Sequence, residues 1–146
     1  MTDTDREELL KAAREEVVRR QEAQLAARKL IEEADRHYAH AEYQVAAKKY
    51  ETALATLPFA AATAADRSAA QNGITRSYYR LSEIALAEEN YSKALDYANR
   101  ALETNPDSRT ALAMVAKAER FQRVAKEREG APPPPDPSKT EEFLDS

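Results

Sequence analysis

Asn90 to Ser108 reads NYSKALDYANRALETNPDS. Ala94, Ala98 and Ala101 recur at the three- and four-residue steps of one helix face, and Pro106 stands just past the end. An earlier stretch, EYQVAAKKYETALATLP from Glu42 to Pro58, writes nearly the same helix. Tyr43 to Tyr91 is a step of 48 residues, and the same step joins Ala46 to Ala94, Ala53 to Ala101, Leu54 to Leu102 and Pro58 to Pro106. Five matches at one offset mark an internal repeat, so the fold is to be read as repeated units that need each other.

Outward from the repeat the chain reads as helix almost throughout. Thr4 with Glu7 forms an expected capping box. A first helix follows to about Ala41, with Leu10, Ala13, Val17, Ala27, Ile31, Ala34 and Tyr38 on its apolar stripe, which Arg20 and Gln24 interrupt. A second runs from about Tyr43 to Leu57, where Pro58 stops it. Thr63 with Asp66 caps an expected third, to about Glu89. Asn72-Gly73 inside it is a turn signal. Ala70, Ile74, Tyr78, Leu81 and Ala85 nevertheless keep one face in phase across the glycine, which favours a single long helix at a cost of about 1 kcal/mol. A fourth helix spans about Ser92 to Thr104, and a fifth runs from beyond Pro106-Asp107-Ser108 to about Glu129.

Gly130 opens a different kind of sequence, GAPPPPDPSKTEEFLDS. Its prolines favour an extended, solvated spacer, so residues 130–146 read as a Pro-rich acidic linker or tail. Ser138 with Glu141 is a further helix-start signal, which reads either as the entry to another domain of a longer protein or as part of a disordered tail.

Bulk composition agrees with an all-α protein: 42% hydrophobic and 33% charged residues, with two glycines. A net charge of −4 argues against nucleic acid as a partner, which asks for a basic face. With no cysteine there is no disulfide framework and no thiolate metal site. The longest apolar stretch, Phe59 to Ala65, is far short of the roughly 20 residues of a membrane span. The opening MTDTDREELL lacks the basic-then-apolar order of a signal peptide.

The duplicated units resemble the tetratricopeptide repeat (TPR), a helix pair with small residues at the crossing, an aromatic before the second helix and a closing proline. Leu30, Ala34, Tyr38, Tyr43, Ala46, Tyr50, Ala53 and Pro58 occupy those places in a first repeat, about 27–58. Tyr78, Leu81, Ser82, Leu86, Tyr91, Ala94, Ala101 and Pro106 occupy them in a second, about 75–106. Leu112, Val115 and Ala116 fit the first helix of an incomplete third, a capping helix about 109–129. The resemblance implies antiparallel helical hairpins stacked as a TPR-like right-handed array of about two and a half repeats, residues 1–129 in all. Small residues at the crossing let the helix axes approach to the short end of about 8–10 Å.

The family's period is about 34 residues, so a step of 48 carries a surplus, in Phe59 to about Ile74. The first helix likewise begins far ahead of its matching part. First helices of stacked repeats lie side by side, so both elongated first helices are expected to project from one end and pack together as a helical spur.

Chemistry is harder to find. His37 and His40, near Glu33, Asp35 and Glu42, make a zinc site conceivable, but no partner orients them, and the reading is no metal. Cysteine nucleophiles and glycine-rich phosphate loops are absent, and pairs such as Glu15-Glu16 read as solvated faces, so no catalytic residue and no cofactor are expected. The resemblance implies instead a groove along the first helices that takes a protein or peptide. Its places fall on Arg28, Ile31 and Asp35, then Arg76, Tyr79 and Arg80, then Met114 and Lys117. Two arginines one turn apart with a tyrosine between suit carboxylate or polar peptide recognition. The basic-and-asparagine clamp of repeats that hold heat-shock chaperone tails is missing: Ile31, Asp35, Arg80, Thr110 and Met114 stand in its places.

The run EEVVRRQEAQLAARKLIEEAD, leading into repeats and a Pro-rich spacer, also resembles the front of secretin-type bacterial outer-membrane channel proteins of pilus and secretion systems. That resemblance implies a periplasmic assembly domain with pilus or secretion partners. Without it the expectations are a free-standing cytoplasmic adaptor or a self-assembling structural module.

Overall fold

The computed structural model describes residues 2–132, and the calls on Pro133 onward, the proline-rich tail and the Ser138–Glu141 cap among them, lie outside the described residues. Five α-helices follow in order: α1 (Asp3–Ala39), α2 (Tyr43–Thr56), α3 (Ala64–Ala87), α4 (Tyr91–Thr104) and α5 (Arg109–Gly130). A 3₁₀ turn, Ala61–Thr63, leads into α3. Each helix packs on its neighbour in sequence, and α3 also touches α1 and α5, as stacked hairpins require. No strand occurs among the described residues, and none of the helices is long and apolar enough to cross a membrane.

The alanines that define the repeat are the core. Ala34, Ala46, Ala53, Ala94 and Ala101 have no exposed surface. At the second crossing the buried Ser82 hydroxyl donates to the Ala94 carbonyl at 3.1 Å, a contact that needs a small residue on both helices. The repeat extends to the backbone. Ala41 and Glu89, again a step of 48 apart, both take φ 61° just after a first helix. The next amides, of Glu42 and Asn90, donate back to His37 and Ala85 at 2.9 and 2.8 Å. This is the left-handed helix ending that usually employs glycine, here made twice without one.

Helix α3 is continuous through Gly73, and the structure shows why glycine is there. A Cβ on Gly73 would lie 2.5 Å from the ring of Tyr50, which is itself fully buried. The residue read as a tolerated cost is therefore the one that lets a tyrosine of α2 lie flat against α3.

Other expectations shift. The N-terminal box is Thr2 with Asp5, two residues before Thr4 with Glu7: Thr2 Oγ1 accepts from the Asp5 amide at 3.1 Å, and the Thr2 amide donates back at 3.3 Å. Thr63 does not cap α3 with its side chain, because its hydroxyl donates to the carbonyls of Pro58 and Ala60 and tightens the preceding turn. In α5 the buried positions are Ala111, Met114 and Ala118, whereas Leu112 and Ala116 are exposed.

The two extensions meet only at the base. Gln24 donates to Asp66 at 3.0 Å and to the Ala62 carbonyl at 3.4 Å, and Arg28 donates to Asp66 at 3.1 Å. Beyond that, residues 3–22 of α1 contain no buried residue; residues 3–15 stand free for about 20 Å, and Glu16, Arg19 and Arg20 border a shallow hollow against Pro58, Phe59 and Ala60. The spur is one bare helix rather than a packed pair.

Candidate functional site

One side of the stack is formed by α1, α3 and α5, the first helices of their pairs. Ile31 and Asp35 are one turn apart on α1, so they share a face. Arg76, Tyr79 and Arg80 share the corresponding face of α3. These five side chains, with Tyr38, border a hollow of about 650 Å³ between the two helices. A second hollow of about 310 Å³ lies between α3 and α5, bordered by Glu83, Met114 and Lys117. Tyr79 and Thr110 border both, so the two form one continuous surface.

Charges on this surface are mostly answered within it. The Arg76 guanidinium is 4.0 Å from Asp35 and lies over the Tyr38 ring, 5.1 Å from its centroid. Asp35 also accepts from the Tyr50 hydroxyl. Burial, and then the Asp35 carboxylate, push the Tyr50 phenol well above its ordinary range, so it remains a proton donor. Lys117 donates to Glu83 at 2.9 Å. Arg80 differs: its Nε donates to the Tyr38 hydroxyl at 3.4 Å, and it has no carboxylate partner among the described residues. The half-exposed Arg76–Asp35 pair is long and worth little, so it is easily exchanged for a better carboxylate.

Of the eight residues expected along the groove, Ile31, Asp35, Arg76, Tyr79 and Arg80 border the first hollow. Lys117 borders the second, as does Met114, although Met114 is a buried core residue that presents only an edge. Arg28 borders neither. It is drawn to Asp66, whose carboxyl is held below the usual range first by the Gln24 hydrogen bond and then by Arg28. Sequence reading missed Asn72, Asn105 and Ser108, which place amide and hydroxyl groups at the end of the first hollow. Asn72 sits one turn before Arg76 and was legible from that spacing. Asn105 and Ser108 belong to the α4–α5 turn, where no periodicity points to them.

On the opposite side Tyr78 stacks on Tyr97 with centroids 6.0 Å apart, and the Tyr78 hydroxyl donates to Glu51. Burial and then Glu51 push the Tyr78 phenol up to about 12. The two histidines are turned apart. His37 meets Glu42 at 3.4 Å and His40 meets the Arg36 carbonyl at 2.7 Å. Among the described residues no three His, Cys, Asp or Glu side chains gather as metal ligands would.

Residues 75–108 match the family model of the tetratricopeptide repeat. The match covers the second hairpin, α4 and the C-terminal half of α3, up to the cap of α5. It identifies a repeat of a type used for protein–protein interaction and does not extend to secretin-type channels. No curated protein and no solved structure matches the chain.

Proposed function

We propose that residues 1–129 form a non-enzymatic interaction module that holds a protein or peptide along the α1–α3–α5 surface. The observation that carries this reading is Arg80, a cation at the edge of a 650 Å³ hollow whose partner among the described residues is a phenol and not a carboxylate. A carboxylate of a bound peptide gains from Arg80 and Arg76 together, since two forks one turn apart accept it with charge-assisted hydrogen bonds. Tyr79 offers an amphipathic ring between them, and Asn72 and Asn105 offer donors and acceptors to a peptide backbone.

The test is a pull-down with the native chain against an Arg76→Ala/Arg80→Ala variant, with unfolding midpoints matched. Loss of specific partners from the variant supports the surface, and equal recovery of every partner removes it. The identity of the partners also decides context. The likeness of the leading helix to secretin-type channel proteins supplies a periplasmic assembly setting, which pilus or secretion components among the partners support. Partners confined to the cytoplasm replace that setting with a free-standing adaptor.

A further inference from the structure

The bare stretch of α1 is the least explained part of the molecule. Leu9, Leu10, Val17, Val18 and Leu25 are between 49% and 64% exposed. At 3.6 residues per turn these five, with Ala13, fall on one half of the helix circumference. Glu8, Lys11, Glu15, Glu16, Arg19 and Glu22 take the other half, while Arg6, Glu7, Arg14, Arg20 and Gln21 lie among the apolar residues. Apolar side chains this exposed, interleaved with long charged ones, suit a partner that answers both the apolar surface and the charge.

A membrane surface is a poor occupant, because the polar half carries more carboxylates than cations, whereas interfacial helices show lysine and arginine there. The charge along the axis indicates what does fit. Residues 3–8 bring Asp3, Asp5, Glu7 and Glu8 against a single arginine, Arg6. Residues 11–20 bring Lys11, Arg14, Arg19 and Arg20 against Glu15 and Glu16. The helix is therefore acidic at its tip and basic towards its base, and two such helices complement each other head to tail.

We propose that this stretch pairs antiparallel with the same stretch of a second copy of the chain, about a two-fold axis near Ala13 and Arg14. Leu10 of each copy then lies opposite Val17 of the other, and Glu7 of each acidic tip comes opposite the other copy's Arg20, which in the single copy is answered by the exposed Glu16 at 3.1 Å. The length agrees. In this register residue 3 comes opposite residue 24, and Gln24 is where α1 first bonds to the 3₁₀ turn and α3. The overlap uses the whole stretch that buries no side chain and ends where α1 is hydrogen-bonded to the body. The interface is isologous and closes on itself, so the product is a dimer and not a filament.

Sedimentation of the full chain tests the pairing, with a dimer expected at high micromolar concentration. A Leu10→Glu/Val17→Glu variant is expected to weaken the dimer at least ten-fold with unchanged helicity, because both side chains are solvent-facing in the single copy. A chain without cysteine also allows clean cross-linking. Arg14→Cys, near the axis, is expected to form a disulfide with itself, and Arg6→Cys chains to cross-link with Gln21→Cys chains. A monomer at high micromolar concentration overturns the proposal, as does a dimer that survives the glutamate variant. Self-linkage of Arg6→Cys, the mark of a parallel pair or of another interface, overturns it too.

Discussion

Helices α1 and α3 both run past the repeat that contains them, and only one of the two extensions is built into the body. Ala70, Gly73 and Ile74 of the α3 extension are buried, with the Tyr50 ring laid against Gly73. The α1 extension, residues 3–22, buries nothing. Helix propensity does not explain the difference, since the buried extension is the one that carries Asn72 and Gly73. Neighbours do. The α3 extension has α2 on one flank and the base of α1 on the other, so small residues there are rewarded with close approach. Among the described residues α1 has no preceding hairpin to lie on. A repeat array sets each segment's role by what stacks beside it, not by its own composition.

The largest expected effect attacks the buried extension. Gly73→Ala adds a methyl group 2.5 Å from the Tyr50 ring, which is enclosed and tethered to Asp35, so the ring cannot swing away freely. Overpacking of that kind costs about 1–3 kcal/mol, more than the helix propensity gained. The urea midpoint should fall accordingly, while Gly130→Ala, with nothing within 4 Å, should leave it level or raise it. Equal midpoints for Gly73→Ala and wild type would mean that the α3 extension is not locked, and the contrast with α1 would collapse.

Tyr50→Phe separates the ring from its hydroxyl. The ring still fills the space over Gly73, so the expected loss is only that of one hydrogen bond to a partly exposed carboxylate, about 1 kcal/mol. Alkaline titration examines the neighbouring tyrosine. The folded pKa of Tyr78 is raised from 10.0 to about 12, so its contribution is whole below pH 10 and is lost as pH climbs from 10.0 towards 12. Over that window the wild-type melting temperature should fall more steeply than that of Tyr78→Phe. Parallel slopes would show that the buried phenol does not set alkaline stability.

These tests also mark what the sequence could carry. Alanine spacing and the closing prolines made the hairpins legible, because close helix crossings demand small residues at fixed steps, and Ala46 and Ala94 are fully buried as that logic requires. Gly73 was seen as a cost because its benefit lies on another helix, at Tyr50, beyond the reach of local pattern. Asp66 was read as a cap for the same reason: its partners, Gln24 and Arg28, are far away in sequence. Groove residues on helices were found by turn spacing, and those in the α4–α5 turn were not. Arg28 failed as a groove residue because a nearer carboxylate claimed it.

A smaller effect is expected at the place where the two extensions touch. Asp66 is held below its ordinary value of 3.8, so its link to Gln24 and Arg28 is complete above that value and is lost as pH falls below it. Asp66→Asn should therefore flatten the acid limb of the stability curve below about pH 4 and lower stability at pH 7 by the amount that limb carried, a small one because Arg28 is half exposed. Amide exchange should locate the change at residues 20–28 of α1. If exchange quickens throughout α3 instead, Asp66 supports the body and not the junction.

The smallest expected effect addresses the bare helix. Deleting residues 6–20 keeps the Thr2–Asp5 cap and removes turns that bury no side chain. The body's apolar burial is untouched, so in dilute solution its unfolding midpoint should stay within about 0.5 kcal/mol of wild type. Far-ultraviolet ellipticity should fall by the share of the deleted turns. What should change is concentration dependence. A dimer held by these turns gives the full chain a melting temperature that rises with protein concentration, by mass action, and the deleted chain one that does not. A loss of several kcal/mol in dilute solution would mean that the extension supports its own body after all. The two first helices would then differ in degree and not in kind.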